Sequence, residues 1–149
     1  MENDKNVHFI VLDGAYEIYE KLSRKFPDNC WNFGLTEQAA IGIASGMALD
    51  GLKPYVYSIT PFLIERPFEQ VKLDIVEQRA NVKLVSYWNY PGTGPTHTTK
   101  DAGGICKILG LRYFEPKNSQ ETRETLLRTC HDNLPAFFYL TKDEILNGD

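Results

Sequence analysis

The stretch Asn32-Phe33-Gly34-Leu35-Thr36-Glu37-Gln38-Ala39-Ala40-Ile41-Gly42 joins a short apolar strand to a glycine turn and a helix of small residues. The turn delivers one carboxylate, Glu37, to the start of that helix. Because its neighbours are apolar or small, Glu37 is expected to be poorly solvated, and such a carboxyl group can hold or pass a proton. The alternative is an ordinary helix-start glutamate stabilised by the helix macrodipole.

Strands and helices alternate along the rest of the chain. Apolar runs predict strands at His8 to Leu12, Cys30 to Phe33, Pro54 to Ile59, Val82 to Tyr87, Leu111 to Phe114 and Ala136 to Thr141. Helical periodicity and end signals predict helices at Ala15 to Phe26, Thr36 to Leu49, Pro67 to about Gln78, Asp101 to Leu109 and Ser119 to His131. Gly103-Gly104 is expected to break or loosen the fourth of these helices.

This alternation predicts one α/β domain over residues 1–149: a three-layer, doubly wound, mostly parallel sheet with helices on both faces. Such sheets carry their functional loops beyond the carboxyl ends of the strands. The loops expected there are Asp13-Gly14, Gly34 to Glu37, Thr60 to Phe62 and Trp88 to His97. We expect them to form one site, with the bulky Phe62, Trp88 and Tyr90 on surface that a working complex covers.

Charge and cysteine content restrict the function classes. A net charge of −4 without a basic stripe argues against nucleic-acid and anionic-membrane partners. Cys30, Cys106 and Cys130 are far apart and lack metal-ligand spacing, which is typical of reduced thiols in a cytoplasmic protein. No metal ligands are predicted in this chain. The polar first residues and the lack of a long apolar run predict neither a signal peptide nor a membrane span.

Several further motifs occur in a fixed order. Besides Asn32 to Gln38 they are Gly42 to Leu49, Gly51 to Ser58, Pro61-Phe62-Leu63, Phe68-Glu69-Gln70-Val71, Asn81 to Val85 and Gly94-Pro95-Thr96-His97. In order and spacing, this run from Trp31 to His97 resembles the pyrimidine-binding domain of transketolase-type thiamine diphosphate enzymes. Weaker similarity extends over nearly the whole chain.

The resemblance implies roles for individual residues. Glu37 matches the glutamate that engages N1′ of the cofactor's aminopyrimidine ring, and Phe62 lies where the family packs an aromatic side chain against that ring. Ile59 stands where true transketolases have an aromatic residue, so the ring contact is expected to differ. His97 matches the histidine that reaches hydroxyls of the donor substrate and assists proton transfer. The alternatives are a core phenylalanine and a loop histidine satisfied by backbone groups.

The same resemblance indicates a departure near His97. Thr93 stands where transketolases have an aspartate that contacts the donor's hydroxyl, and the loop from Tyr87 to Thr93 is shorter. The donor is therefore expected to differ from an ordinary ketose phosphate.

Two parts of the family's architecture are expected to be absent. The sequence contains no Gly-Asp-Gly motif with a downstream asparagine, the pattern with which the family's diphosphate-binding domain holds Mg²⁺. The C-terminal domain is also expected to be missing. We therefore expect the small subunit of a split transketolase-like enzyme, in which a separate diphosphate-binding chain holds Mg²⁺ and the diphosphate of thiamine diphosphate.

The expected reaction transfers a two-carbon ketol unit, or is a related carboligation, on a small sugar or keto substrate. A homodimer of this chain within a hetero-oligomer is the expected assembly. Two alternatives stay open: a non-catalytic interaction or regulatory protein that keeps the fold, and a subunit of a deoxyxylulose-phosphate synthase-like or 2-oxoacid dehydrogenase-like enzyme.

Overall fold

The structure, a computed structural model, describes residues 1–87 and 93–141. Its strands are β1 (Val7–Val11), β2 (Cys30–Asn32), β3 (Lys53–Ile59), β4 (Lys83–Tyr87), β5 (Arg112–Phe114) and β6 (Ala136–Leu140). Its helices are α1 (Tyr16–Lys25), α2 (Glu37–Leu49), α3 (Thr60–Ile64), α4 (Phe68–Gln70), α5 (Ala102–Leu109) and α6 (Ser119–Cys130). A π-helical segment, Val71–Val76, continues α4, and single 3₁₀ turns lie at Pro27–Asn29 and Pro95–His97.

The strands form one sheet in the order β2-β1-β3-β4-β6-β5, and every pairing in it is parallel. The expected α/β architecture is confirmed, with a sheet that is wholly parallel rather than mostly parallel. After β1 the chain adds β2 on one side and then β3 on the other. The strand order therefore reverses at β1 and β3, the place where open parallel sheets bind ligands.

Helices pack on both faces of the sheet. Helices α2 to α5 cover one face, where Ile41, Ile75 and Cys106 pack with the strand residues Val56 and Phe137. On the opposite face a smaller apolar cluster includes side chains from β4, β6 and α6. That face is less completely covered, because an open groove of about 1090 Å³ lies between α1 and α6. Burial is thus concentrated on the face that carries α2.

Two expectations about local structure are wrong. Thr60 to Phe62 is not a loop but the start of α3, because Pro61 is preset for a first helical turn and its carbonyl accepts the backbone N–H groups of Glu65 (3.1 Å) and Arg66 (3.0 Å). Gly103-Gly104 does not break α5. The N-cap residue Asp101 accepts the Gly104 N–H at 2.7 Å and stabilises the first turn.

The remaining element ends lie at the predicted residues or within two residues of them. All three cysteines are free thiols, as expected. Within residues 1–87 and 93–141, no helix is both long and apolar enough to cross a membrane.

Candidate active site

Segments that follow four neighbouring strands, three loops and the start of α3, meet in a pocket of about 280 Å³. Its walls are Leu12, Asp13, Gly14, Ala15, Leu35, Tyr57, Ser58, Ile59, Phe62, Thr93 and His97. The pocket lies at the carboxyl ends of β1 and β3, where the strand order reverses. The structure therefore brings these segments together, as predicted.

Asn32 joins two of the loops. Its side-chain oxygen accepts the backbone N–H of Gly34 at 2.9 Å and that of Asp13 at 3.4 Å, so the segments after β1 and β2 share one hydrogen-bond acceptor. Gly34 has φ +63°, a conformation that favours glycine. The hydroxyl of Thr36 then donates to the carbonyl of Phe33 at 2.8 Å. These bonds bring the chain into α2 with Glu37 as its first residue.

The carboxylate of Glu37 is buried and paired. Its side chain is 5% exposed, and Nη1 of Arg66 donates to Oε1 at 2.7 Å. The guanidinium reaches it from a side chain that is 45% exposed. Poor solvation of Glu37 is thus confirmed, but its charge is balanced by an arginine.

Arg66 also contacts the predicted ring-packing residue. Its guanidinium carbon lies 3.8 Å from the centre of the Phe62 ring. The Phe62 ring meets the His97 ring edge-on, with 5.2 Å between centroids and 69° between planes. Phe62 is buried and also forms part of the pocket wall, so the expectation that it lies on surface covered by a partner is wrong. Its packing against a cofactor ring stays a prediction. Contacts therefore run from Glu37 through Arg66 and Phe62 to His97.

His97 ends the 3₁₀ turn that follows Gly94, whose φ is +90°. The half-buried imidazole lines the pocket, and its Nδ1 is 2.9 Å from the hydroxyl of Thr96. Thr93, which the resemblance predicts in place of an aspartate, also lines the pocket. Trp88 and Tyr90 lie outside the described residues.

The loop after β1 has an unusual backbone. Asp13 and Ala15, on either side of Gly14, both have φ of +50°, which is uncommon for residues with a side chain. Such conformations cluster at functional sites. The hydroxyl of Tyr16 donates to the carboxylate of Asp13, and this hydrogen bond raises the pKa of Tyr16 above its ordinary value. The sequence patterns predicted a functional loop here, but they did not predict the positive φ angles of Asp13 and Ala15.

Sequence reasoning also missed Arg66. Two signals point to it: a buried carboxylate needs a cation nearby, and Arg66 follows Phe62 by four residues, about one helical turn. Glu37 itself does not line the pocket that contains Ile59, Phe62 and His97. It lies beside that pocket and is connected to it by Arg66.

Comparisons with known proteins identify the family of this chain. Residues 3–146 match the family described as the transketolase pyrimidine binding domain. One subunit of the apulose-4-phosphate transketolase of Actinobacillus succinogenes is 36% identical over 126 residues, which cover 82% of this chain and 40% of that protein. The 1-deoxy-D-xylulose-5-phosphate synthase of Tropheryma whipplei is 30% identical over 120 residues, 77% of this chain and 19% of the synthase.

A solved structure described as a split gene transketolase, inactive β4 tetramer, has the same fold. It matches with a TM-score of 0.85 at 20% identity over 95% of this chain and 46% of that one. The chain thus spans less than half the length of each of these proteins. The family match over almost all of its residues shows that this chain belongs to the transketolase-type, thiamine diphosphate-dependent family, as its pyrimidine-binding domain.

Proposed function

We propose that this chain is the pyrimidine-binding subunit of a split transketolase-like enzyme. In this proposal it transfers a two-carbon ketol unit, or performs a related carboligation, on a small sugar or keto substrate in the cytoplasm. The observation that carries the proposal is the buried carboxylate of Glu37, which Arg66 connects to Phe62 at the carboxyl end of the parallel sheet. Relatives whose names identify them as subunits of split transketolases support it.

The pyrimidine part of thiamine diphosphate fits the residues present. Glu37 offers a carboxylate for the ring nitrogen N1′, and Phe62 offers an aromatic surface. The adjoining pocket of about 280 Å³ is just below the roughly 300–1,000 Å³ typical of sites for whole small molecules. A pocket of this size suits one part of a cofactor.

The described residues do not fit the diphosphate and its Mg²⁺. Mg²⁺ bound to a diphosphate needs oxygen ligands in a fixed octahedral geometry. The described residues contain no group of three or more His, Cys, Asp or Glu side chains that could hold a metal ion. We assign Mg²⁺ and the diphosphate to a separate diphosphate-binding subunit, with a homodimer of this chain inside the hetero-oligomer.

When bound, thiamine diphosphate supplies a nucleophilic thiazolium carbon, which no protein side chain offers. In the proposed mechanism, Glu37 would hold the ring at N1′ and would exchange a proton there. Phe62 packs against the ring, while Leu35 and Ile59 line the pocket with apolar surface and exclude water. His97 binds a hydroxyl of the donor and moves a proton there.

The donor is the point on which a second candidate function differs. Similarity to a 1-deoxy-D-xylulose-5-phosphate synthase, together with Thr93 in the pocket wall, favours testing a keto-acid donor beside sugar donors. Turnover with ketose phosphates but not with pyruvate supports ketol transfer. Turnover with pyruvate alone supports a synthase-like or dehydrogenase-like enzyme.

Calorimetric titration of thiamine diphosphate with Mg²⁺ tests the shared site directly. The titration is made into this chain alone and into its mixture with a transketolase-type diphosphate-binding subunit encoded nearby. Tight binding in the mixture alone is the expected result. Failure of the mixture to bind contradicts the proposal and favours a non-catalytic protein that keeps the fold.

A further inference from the structure

We propose that Arg66 is a positioning residue for the cofactor's pyrimidine ring, an inference that rests on the proposed function. Its guanidinium fixes one oxygen of Glu37 and leaves the other to face N1′, and the same guanidinium packs on Phe62. One cation would thus set the mutual position of the two side chains assigned to the ring. Arg66 itself does not touch the reacting atoms.

The backbone gives Arg66 a fixed starting point. Helix α3 (Thr60–Ile64) is buried along its whole length. Its end is held by hydrogen bonds from the N–H groups of Glu65 and Arg66 to the carbonyl of Pro61. The Arg66 side chain therefore begins from a packed helix end rather than from a free loop.

Two contacts restrict the other end of the side chain. Nη1 donates to Oε1 of Glu37 at 2.7 Å, and the guanidinium carbon lies 3.8 Å from the centre of the Phe62 ring. A hydrogen bond fixes the direction of one N–H, and a packed ring restricts the rotation of the guanidinium plane. Glu37 and Phe62 are both buried, so the partially exposed arginine is held between two fixed groups.

Fixing one carboxylate oxygen determines the direction of the other, because the two share a rigid plane. Buried charges are stable only when paired, so Arg66 also supplies the charge that allows an anionic Glu37 at this depth. A lysine at this position would keep the charge but lose the planar fork and its contact with the ring. The geometry of the guanidinium, and not only its charge, is therefore the feature to test.

The test compares two ligands in the complex of this chain with its diphosphate-binding subunit. One is thiamine diphosphate with Mg²⁺, and the other is an analogue in which a CH group replaces the ring nitrogen N1′. Calorimetry gives the Kd of each for the wild-type chain, Arg66→Met and Arg66→Lys. Arg24→Met is the matched control, because Arg24 makes a surface ion pair with Glu20 at 3.4 Å on an exposed helix.

If Arg66 acts through Glu37 on N1′, Arg66→Met weakens thiamine diphosphate binding about tenfold, the effect of one misdirected charge-assisted hydrogen bond. The Kd of the analogue rises by a smaller factor, because the analogue keeps its contact with Phe62 but has no N1′ for Glu37 to meet. Arg66→Lys has an intermediate effect on thiamine diphosphate, and Arg24→Met has none. This dependence on the ring nitrogen is what a purely structural role would not produce.

Equal weakening of both ligands, or no change in either, overturns the positioning role while the proposed function stands. Absence of thiamine diphosphate binding by the wild-type complex overturns both. If Arg66→Met does not fold, as judged by thermal melting, the comparison rests on Arg66→Lys and the same two ligands. Full wild-type affinity of a folded Arg66→Lys variant for thiamine diphosphate would contradict the requirement for a guanidinium.

Discussion

Replacing Glu37 with glutamine separates chemistry from folding. The glutamine side chain keeps the size of Glu37 and a side-chain oxygen that can accept from Arg66, but it cannot exchange a proton with N1′. Loss of a positioned proton-transfer group lowers the rate by about 10²- to 10⁴-fold. We therefore expect turnover in the reconstituted complex to fall by this factor.

The expected change in stability is small. The substitution replaces an ion pair by a hydrogen bond from the same charged guanidinium to a neutral amide oxygen, and a hydrogen bond to a charged group still contributes about 1.5–3 kcal/mol. Because the side chain of Arg66 is 45% exposed, solvent reduces the difference, and Glu37→Gln should cost about 1 kcal/mol. For a chain of this size that lowers Tm by about 2–4 °C.

The assay measures turnover, Tm and complex formation for wild type, Glu37→Gln and Glu17→Gln. Glu17 is a matched control, because it is an exposed glutamate in the first turn of α1. If Glu37 were only a helix-start glutamate, the two variants would behave alike. Wild-type turnover in a folded, assembled Glu37→Gln complex would refute the catalytic role.

Two further predictions concern stability. Gly104→Ala should lower the free energy of unfolding by about 1 kcal/mol, because its Cβ would collide with Oδ2 of the capping residue Asp101 and displace the cap. In the matched control Gly103→Ala, the new Cβ meets only ordinary contacts, the nearest at 3.6 Å. Urea unfolding should show this variant to be as stable as wild type or more stable. Equal losses of stability in the two variants would contradict the capping argument. Burial alone would raise the pKa of Asp132. Hydrogen bonds from Arg112 outweigh this effect and hold the pKa below its ordinary value of 3.8. The stability advantage of wild type over Asp132→Asn should therefore be full near about pH 6 and disappear as the pH falls below about 4. If the advantage persists at low pH, the Arg112–Asp132 ion pair is not its source.

Much of the fold was predictable because apolar runs and helical periodicity report on burial, which a parallel sheet imposes on every strand. Helix α3 was missed since Thr60 to Ile64 continues the apolar run of β3, and only Pro61 signals a helical turn. Gly103-Gly104 misled for another reason. The low helix propensity of glycine is an average over many sequences. Here the hydrogen bond from the Gly104 N–H to Asp101 stabilises the first turn and outweighs that low propensity.

The candidate site shows the same limit. Glu37, Ile59, Phe62 and His97 were identified through motifs, and the structure brings the last three into one pocket wall. Arg66 could not be found that way, because its partner in the ion pair is 29 residues distant in the chain. Sequence patterns describe what a segment does locally, whereas the Arg66–Glu37 pair exists only once α2 and α3 are packed.

The position of β6 has a consequence for how the chain folds as it is synthesised. This strand is the last of the described elements, yet it lies between β4 and β5 and pairs with both. While residues 136–140 are still inside the ribosome, β4 has an open edge and β5 has no neighbour in the sheet. The half of the molecule that carries the pocket can assemble from β1 to β4 first. A nascent chain arrested before Ala136 should therefore protect the amides of β1 and β3 from hydrogen exchange but leave those of β5 open.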